Sequence, residues 1–171
     1  MIERLFRRPG PPRTVAPGTR RIRAGTATAA LALAAGTLLA APAPARAAAC
    51  TGSTGVTVVV DFTRVGGGIT TACAPGNPTT GLAALRGAGF TPTGTRRSGP
   101  AFVCRIDGLP TAAQDACVNT PPASAYWSYW HAPRQGTWTY STLGAASHDP
   151  APDTVEGWSF GSGQEPGISP P

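Results

Sequence analysis

Lysine is absent from this chain of 171 residues, methionine occurs once, and no apolar run reaches the ~20 residues that a membrane-crossing helix needs. Without lysine there is no Gly-Lys-Ser/Thr phosphate cradle, so the three glycines Gly66, Gly67 and Gly68 read as a turn. All positive charge is arginine, and eight of the arginines (Arg4, Arg7, Arg8, Arg13, Arg20, Arg21, Arg23 and Arg46) precede residue 48. From residue 48 onward six arginines face seven acidic residues, a net charge of −1 before histidine. The formal +6 of the whole chain therefore belongs to its first segment, and a nucleic-acid partner is not expected. Aromatic residues are only 7% of the chain, yet four of them crowd into Tyr126-Trp127-Ser128-Tyr129-Trp130. Aromatic area this dense is either buried or binds something.

The opening has the three parts of an export leader. An Arg-rich stretch from Arg4 to Arg23 precedes an apolar run from Ala24 to Ala41, and the small residues around Ala45-Arg46-Ala47 follow. We expect a signal peptide over residues 1–47, cut near Ala47. Pro42 and Pro44 follow the apolar run at once, which argues against an anchor. Together with Arg46 they separate that run from Cys50, which argues against a lipoprotein signal. Whether export is general secretory or twin-arginine is open, and both routes end outside the cytoplasm, secreted or at the cell surface.

Four cysteines follow the leader, Cys50, Cys73, Cys104 and Cys117, and an even count in a small exported chain reads as two disulfides. No Cys-x-x-Cys pair gives the spacing of a zinc site. Three pairings are open, and closure of local loops favours Cys50 with Cys73 and Cys104 with Cys117.

Residues 48–160 suit one domain. The β-branched run Val56-Thr57-Val58-Val59-Val60-Asp61-Phe62 reads as a strand, with a glycine turn and a return strand Ile69 to Cys73. Asn77-Pro78-Thr79-Thr80-Gly81 opens a short helix through Leu82 and Leu85, ended by Gly87 or Gly89, with Phe90 packing back. Thr95 to Gly99 reads as a polar loop, Ala101 to Ile106 as a strand stopped by Asp107-Gly108, and Tyr126 to His131, Thr137 to Ser141 and Val155 to Phe160 as further strands. Residues 161–171, mostly Gly, Ser and Pro, read as a disordered tail.

Four segments carry a resemblance: Gly87-Ala88-Gly89-Phe90 at the helix end, Phe102-Val103-Cys104-Arg105-Ile106-Asp107-Gly108, Tyr126-Trp127-Ser128-Tyr129-Trp130, and Val155-Glu156-Gly157-Trp158-Ser159-Phe160. In this order they resemble the C-terminal domain of transcobalamin and intrinsic factor, which also recurs in bacterial surface proteins. Small secreted actinobacterial proteins of that type, some accompanying vitamin-uptake transporters, look more similar still. The resemblance implies an α+β fold, a β-grasp-like mixed or antiparallel sheet crossed by one short helix; the disulfides read from the cysteine count are additions to the simplest form of that domain. It also implies a small soluble ligand, with a cobalamin-like molecule among the candidates, and a membrane uptake system as partner. In the animal proteins a helical barrel supplies much of the cobalamin site, and none is legible here.

Strand alternation puts Tyr126, Ser128 and Trp130 on one face and Trp127, Tyr129 and His131 on the other. As ligand contacts we expect Trp127, Tyr129, Trp138 and Trp158 to stack, with His131 and Arg134 as polar fixtures. The competing expectation is that the aromatics are core, packed under the loops. Glu156 reads as a strand residue with Arg105 or Arg134 as partner. His131 and His148, with Asp149, Asp153 and Glu156, make a metal site only if their loops converge, so neither metal nor cofactor is expected. Ser128 and His131 point to opposite strand faces, which disfavours a hydrolase. The alternative to a ligand-binding module is a cell-envelope module whose rings stack on a wall polymer, or an inert structural domain.

Overall fold

The computed structural model describes Gly10 and residues 48–171, and the latter belong to one compact unit. The leader expected over residues 1–47 lies, Gly10 apart, outside the described residues. Seven strands and one α-helix follow: β1 Val56–Asp61, β2 Ile69–Ala74, α1 Gly81–Gly87, β3 Pro92–Thr95, β4 Gly99–Ile106, β5 Tyr126–Pro133, β6 Thr139–Tyr140 and β7 Thr154–Gly161. Five of the strands form one sheet in the order β2-β1-β7-β5-β6. β1 and β7 run parallel at its centre and every other neighbour is antiparallel. β3 and β4 pair separately as a hairpin. The class is α+β with a mixed sheet. Among the described residues no helix is long and apolar enough to cross a membrane.

β1 is buried at all six positions because both faces of the sheet are covered. On one face Val56, Val58 and Val60 pack with Leu82 and Leu85 of α1, and with Trp127, Tyr129 and Trp158. The helix is too short to stand alone in water, so this packing holds it. It starts one turn later than the Asn77-Pro78 signal suggests: Thr80 is the cap, its hydroxyl accepting from Ala83 N at 3.0 Å. It ends as expected, with Gly89 left-handed (φ 87°) and Phe90 N donating to Leu85 O.

The opposite face is covered by the segment read as a disordered tail. Ser128 Oγ donates to Gln164 O at 3.1 Å, Gly167 N donates to Asp61 Oδ2 at 2.8 Å, and Trp138 Nε1 donates to Ile168 O at 2.7 Å. Residues 161–171 have few apolar side chains, but their backbone polar groups find partners on the sheet, and Pro166 is buried. The segment expected to be a disordered tail thus lies against the sheet.

The cysteines pair Cys50–Cys73 and Cys104–Cys117, with Cα separations of 4.7 and 5.8 Å. The first ties the segment before β1 to β2, and the second ties the loop after β4 back to that strand. Two such bridges point to an oxidising compartment. β3 precedes the stretch that reads as loop and shares only Thr95 with it. Gly94 permits this strand, because a Cβ there would lie 1.9 Å from the Gly99 carbonyl oxygen across the hairpin. Asp107 and Gly108, both at positive φ (50° and 80°), make the tight turn after β4, as their sequence indicates.

Candidate functional site

The alternation expected for β5 holds. Trp127 and Tyr129 face the helix, and Ser128 and Trp130 face the other side, where Trp130 Nε1 donates to Ser128 Oγ at 2.9 Å. The register pairs Trp127 with Phe160, Tyr129 with Trp158 and His131 with Glu156, so one face carries an aromatic floor ending in polar groups. Trp127 meets Phe62 and Phe160 edge-on at 5.3 and 5.4 Å, and Tyr129 lies 4.8 Å from Trp158.

Trp127, Tyr129 and Trp158 are 5%, 8% and 1% exposed. They are core rings and offer no open stacking face to solvent. Trp138 belongs to the opposite face, lying on Gly157, where an added Cβ would come within 2.7 Å of its ring. Arg134 is also apart: it pairs with Asp153 at 2.8 Å and donates to Gly52 O at 3.1 Å. Of the six residues expected to contact ligand, the structure brings together Trp127, Tyr129, His131 and Trp158 on one face and leaves Arg134 and Trp138 elsewhere.

Two openings reach this face. The first is a cleft of about 300 Å³ between β4, β5 and the loop 141–145, with Phe102, Val103, Tyr126, Tyr140 and Leu143 around the edges of Trp127, Tyr129 and Trp158. No charged side chain lines it. Its mouth is amphipathic. Tyr140 and Leu143 are 46% and 52% exposed, and the Tyr126 and Tyr140 hydroxyls hydrogen-bond at 3.2 Å. That bond, with burial adding to it, pushes the Tyr126 phenol up to about 12.

The second is a cleft of about 270 Å³ lined by His131, His148, Asp149, Thr154 and Glu156. Helix α1 positions it: Leu82 N and Gly81 N, two donors of its first turn, bond Ala145 O and His148 O at 2.8 and 2.9 Å and hold the His148 loop against the sheet. The His131 and His148 rings stack at 4.6 Å with 17° between planes. Glu156 is fully buried between them and the helix start. Its Oε2 accepts a close hydrogen bond from Tyr129 OH, and a side chain at position 81 would collide with that hydroxyl, so glycine stands there. Its Oε1 has no hydrogen-bond partner, and His148 Nε2 lies 3.6 Å away.

Burial raises Glu156 to about 8, against the lowering effect of the Tyr129 bond. Burial, then the nearby carboxylate, raises Tyr129 well above the ordinary phenol range. Burial and the neighbouring His148 lower His131. Glu156 thus has Tyr129 and His148 beside it rather than an arginine. Arg105 is engaged by Pro110 O and Asp115 O. The sequence did contain the signal, since Glu156 shares strand parity with Trp158 and Phe160 and so faces the core. The convergence of residues 131, 148 and 156 depends on the helix contacts and has no local signal.

The letters Gly157-Trp158-Ser159-Phe160-Gly161 match a nucleophile elbow and have another explanation here. Ser159 lies inside β7, buried, on the face opposite Glu156, with no strand-to-helix turn to expose it. Cys104 and Cys117 cluster with Asp115, but sulfurs joined in a disulfide offer no thiolate to a metal. Comparison of the chain with protein-family models, with curated proteins and with solved structures gives no match.

Proposed function

We propose that this chain is a secreted, non-enzymatic ligand-binding module on a β-grasp-like fold, and that it takes a small uncharged planar molecule into the cleft between β4, β5 and loop 141–145. The sheet order, with parallel central strands β1 and β7 and a helix following the opening hairpin, supports the fold assignment. One observation carries the ligand reading: an uncharged, aromatic-lined cleft opens through a rim of paired tyrosines into an otherwise filled core. A charged ligand would lose its hydration there without gaining a partner. A planar ring would find aromatic edges at its sides and a hydroxyl at the mouth.

A cleft of about 300 Å³ is at the small end for ligand pockets and suits one or two fused rings. A corrinoid would reach it only with an edge or a side chain, so a cobalamin-like ligand serves as one arm of the test. The mature chain is titrated by calorimetry with 2-naphthol, hydroxocobalamin and a cell-wall oligosaccharide in parallel. Saturable 1:1 binding of 2-naphthol is expected, and Val103→Trp, which fills the cleft from β4, should abolish it. Binding of the oligosaccharide alone would replace this reading with a cell-envelope module. Binding of none of the three would remove it.

A further inference from the structure

The cleft beside Glu156 is separate from the ligand cleft and different in chemistry. We propose that His148 and Glu156 are two ligands of a site for a divalent transition-metal cation, with His131 as the third. One buried atom of this cleft lacks a hydrogen bond. Glu156 Oε1 is buried in a side chain with no exposure, faces this cleft, and makes no hydrogen bond. A buried carboxyl oxygen that makes no hydrogen bond and faces only His148 Nε2 at 3.6 Å is costly, and a ligand in the cleft would supply a closer partner.

The spacing selects the kind of ligand. Two donor atoms each about 2.1 Å from one metal ion, at the tetrahedral angle, lie about 3.4 Å apart. Two acceptors sharing one ammonium through bonds of about 2.9 Å at the same angle lie about 4.7 Å apart. His148 Nε2 and Glu156 Oε1 are 3.6 Å apart, close to the metal spacing and well short of the ammonium one. Two imidazoles and a carboxylate suit zinc, nickel or copper rather than magnesium or calcium.

Both ligands are fixed from behind. Tyr129 OH holds Glu156 Oε2, which leaves Oε1 to face the cleft, and Gly81 N holds the backbone of His148. Such supporting contacts orient metal ligands. His131 is close but not aligned: stacked, nearly parallel rings direct their lone pairs side by side rather than to one point. His131 therefore joins the other two only on rotation of its side chain. Asp149 also lines this cleft.

The test uses the mature chain without a histidine tag, stripped with chelator and dialysed. Zn²⁺ is titrated by calorimetry, and Co²⁺ is followed by its visible absorbance. One equivalent of each is expected to bind. His148→Ala and Glu156→Gln should each weaken binding about 10-fold or more, and His131→Ala should weaken it as well. Circular dichroism checks that each variant is folded, and His148→Ala, whose ring is partly exposed, serves if Glu156→Gln is not. Absence of saturable uptake would overturn the proposal, and so would uptake that folded His148→Ala leaves unchanged. Failure here leaves the 2-naphthol result untouched, because the two clefts have different linings.

Discussion

Glu156→Gln is expected to abolish most of a steep loss of stability that the chelator-treated wild-type protein suffers as pH rises from about 4.5 to 8. The carboxyl ionises at 4.5 when unperturbed and at about 8 in the fold, where burial disfavours its charge. Between those values the unfolded chain has released the proton and the native chain still holds it. Stability is therefore fully present below 4.5, falls across the window, and levels off above about 8. At roughly 1.4 kcal/mol per pH unit the loss sums to several kcal/mol, or about 10 °C or more in Tm. The groups facing Glu156 are Tyr129 and His131 on β5 and His148 on the loop, with Asp149 near the cleft mouth, and α1 contributes only Gly81. His131, lowered in the fold, acts in the opposite sense, adding stability as pH rises towards its ordinary value. Comparing melts of wild type and variant from pH 5 to 9 cancels that contribution. Parallel profiles for the two proteins would show that Glu156 is not the group responsible.

Ending the chain at Gly161 is the second change with a large expected effect. It removes the acceptor of Trp138 Nε1 and the donor to Asp61, about 1 kcal/mol for each hydrogen bond, while Ser128 Oγ loses Gln164 O but keeps Ser159 O at 2.9 Å. It also uncovers the face on which Trp138 lies over Gly157 and Pro166 is buried. The expected result is a loss of several kcal/mol in urea unfolding and a rise in iodide quenching of tryptophan emission, with the disulfides intact. An unchanged urea midpoint with unchanged quenching would mean that the segment contributes nothing to the sheet.

The behaviour of that segment shows where sequence reading succeeds and where it stops. β1 was legible because a run of β-branched residues has few alternatives, and the Asp107-Gly108 turn because its positive φ angles need such residues. Both disulfides close loops short enough to favour on local grounds. Residues 161–171 have the composition of a linker, yet their order comes from Ser128, Asp61 and Trp138, which lie 30 to 106 positions away. β3 was hidden because Pro92 and Gly94 are poor strand formers, and its pairing with β4 overrides that preference. For the site, parity alone sorted Trp127, Tyr129 and His131 onto one face. That the Trp127 and Tyr129 rings are enclosed, and that Arg134 and Trp138 are elsewhere, follows from what covers each face. The meeting of His131, His148 and Glu156 depends on the first turn of α1 gripping the 145–148 loop, a long-range contact with no local pattern.

The most direct test of the proposed ligand cleft is a two-dimensional NMR titration of ¹⁵N-labelled protein spanning residues 48–171 with 2-naphthol. Saturable shifts are predicted for residues 101–103 and 140–145 and for the indole N–H of Trp127, with residues 148–156 unmoved. Shifts that never saturate, or that fall on another surface, would contradict it.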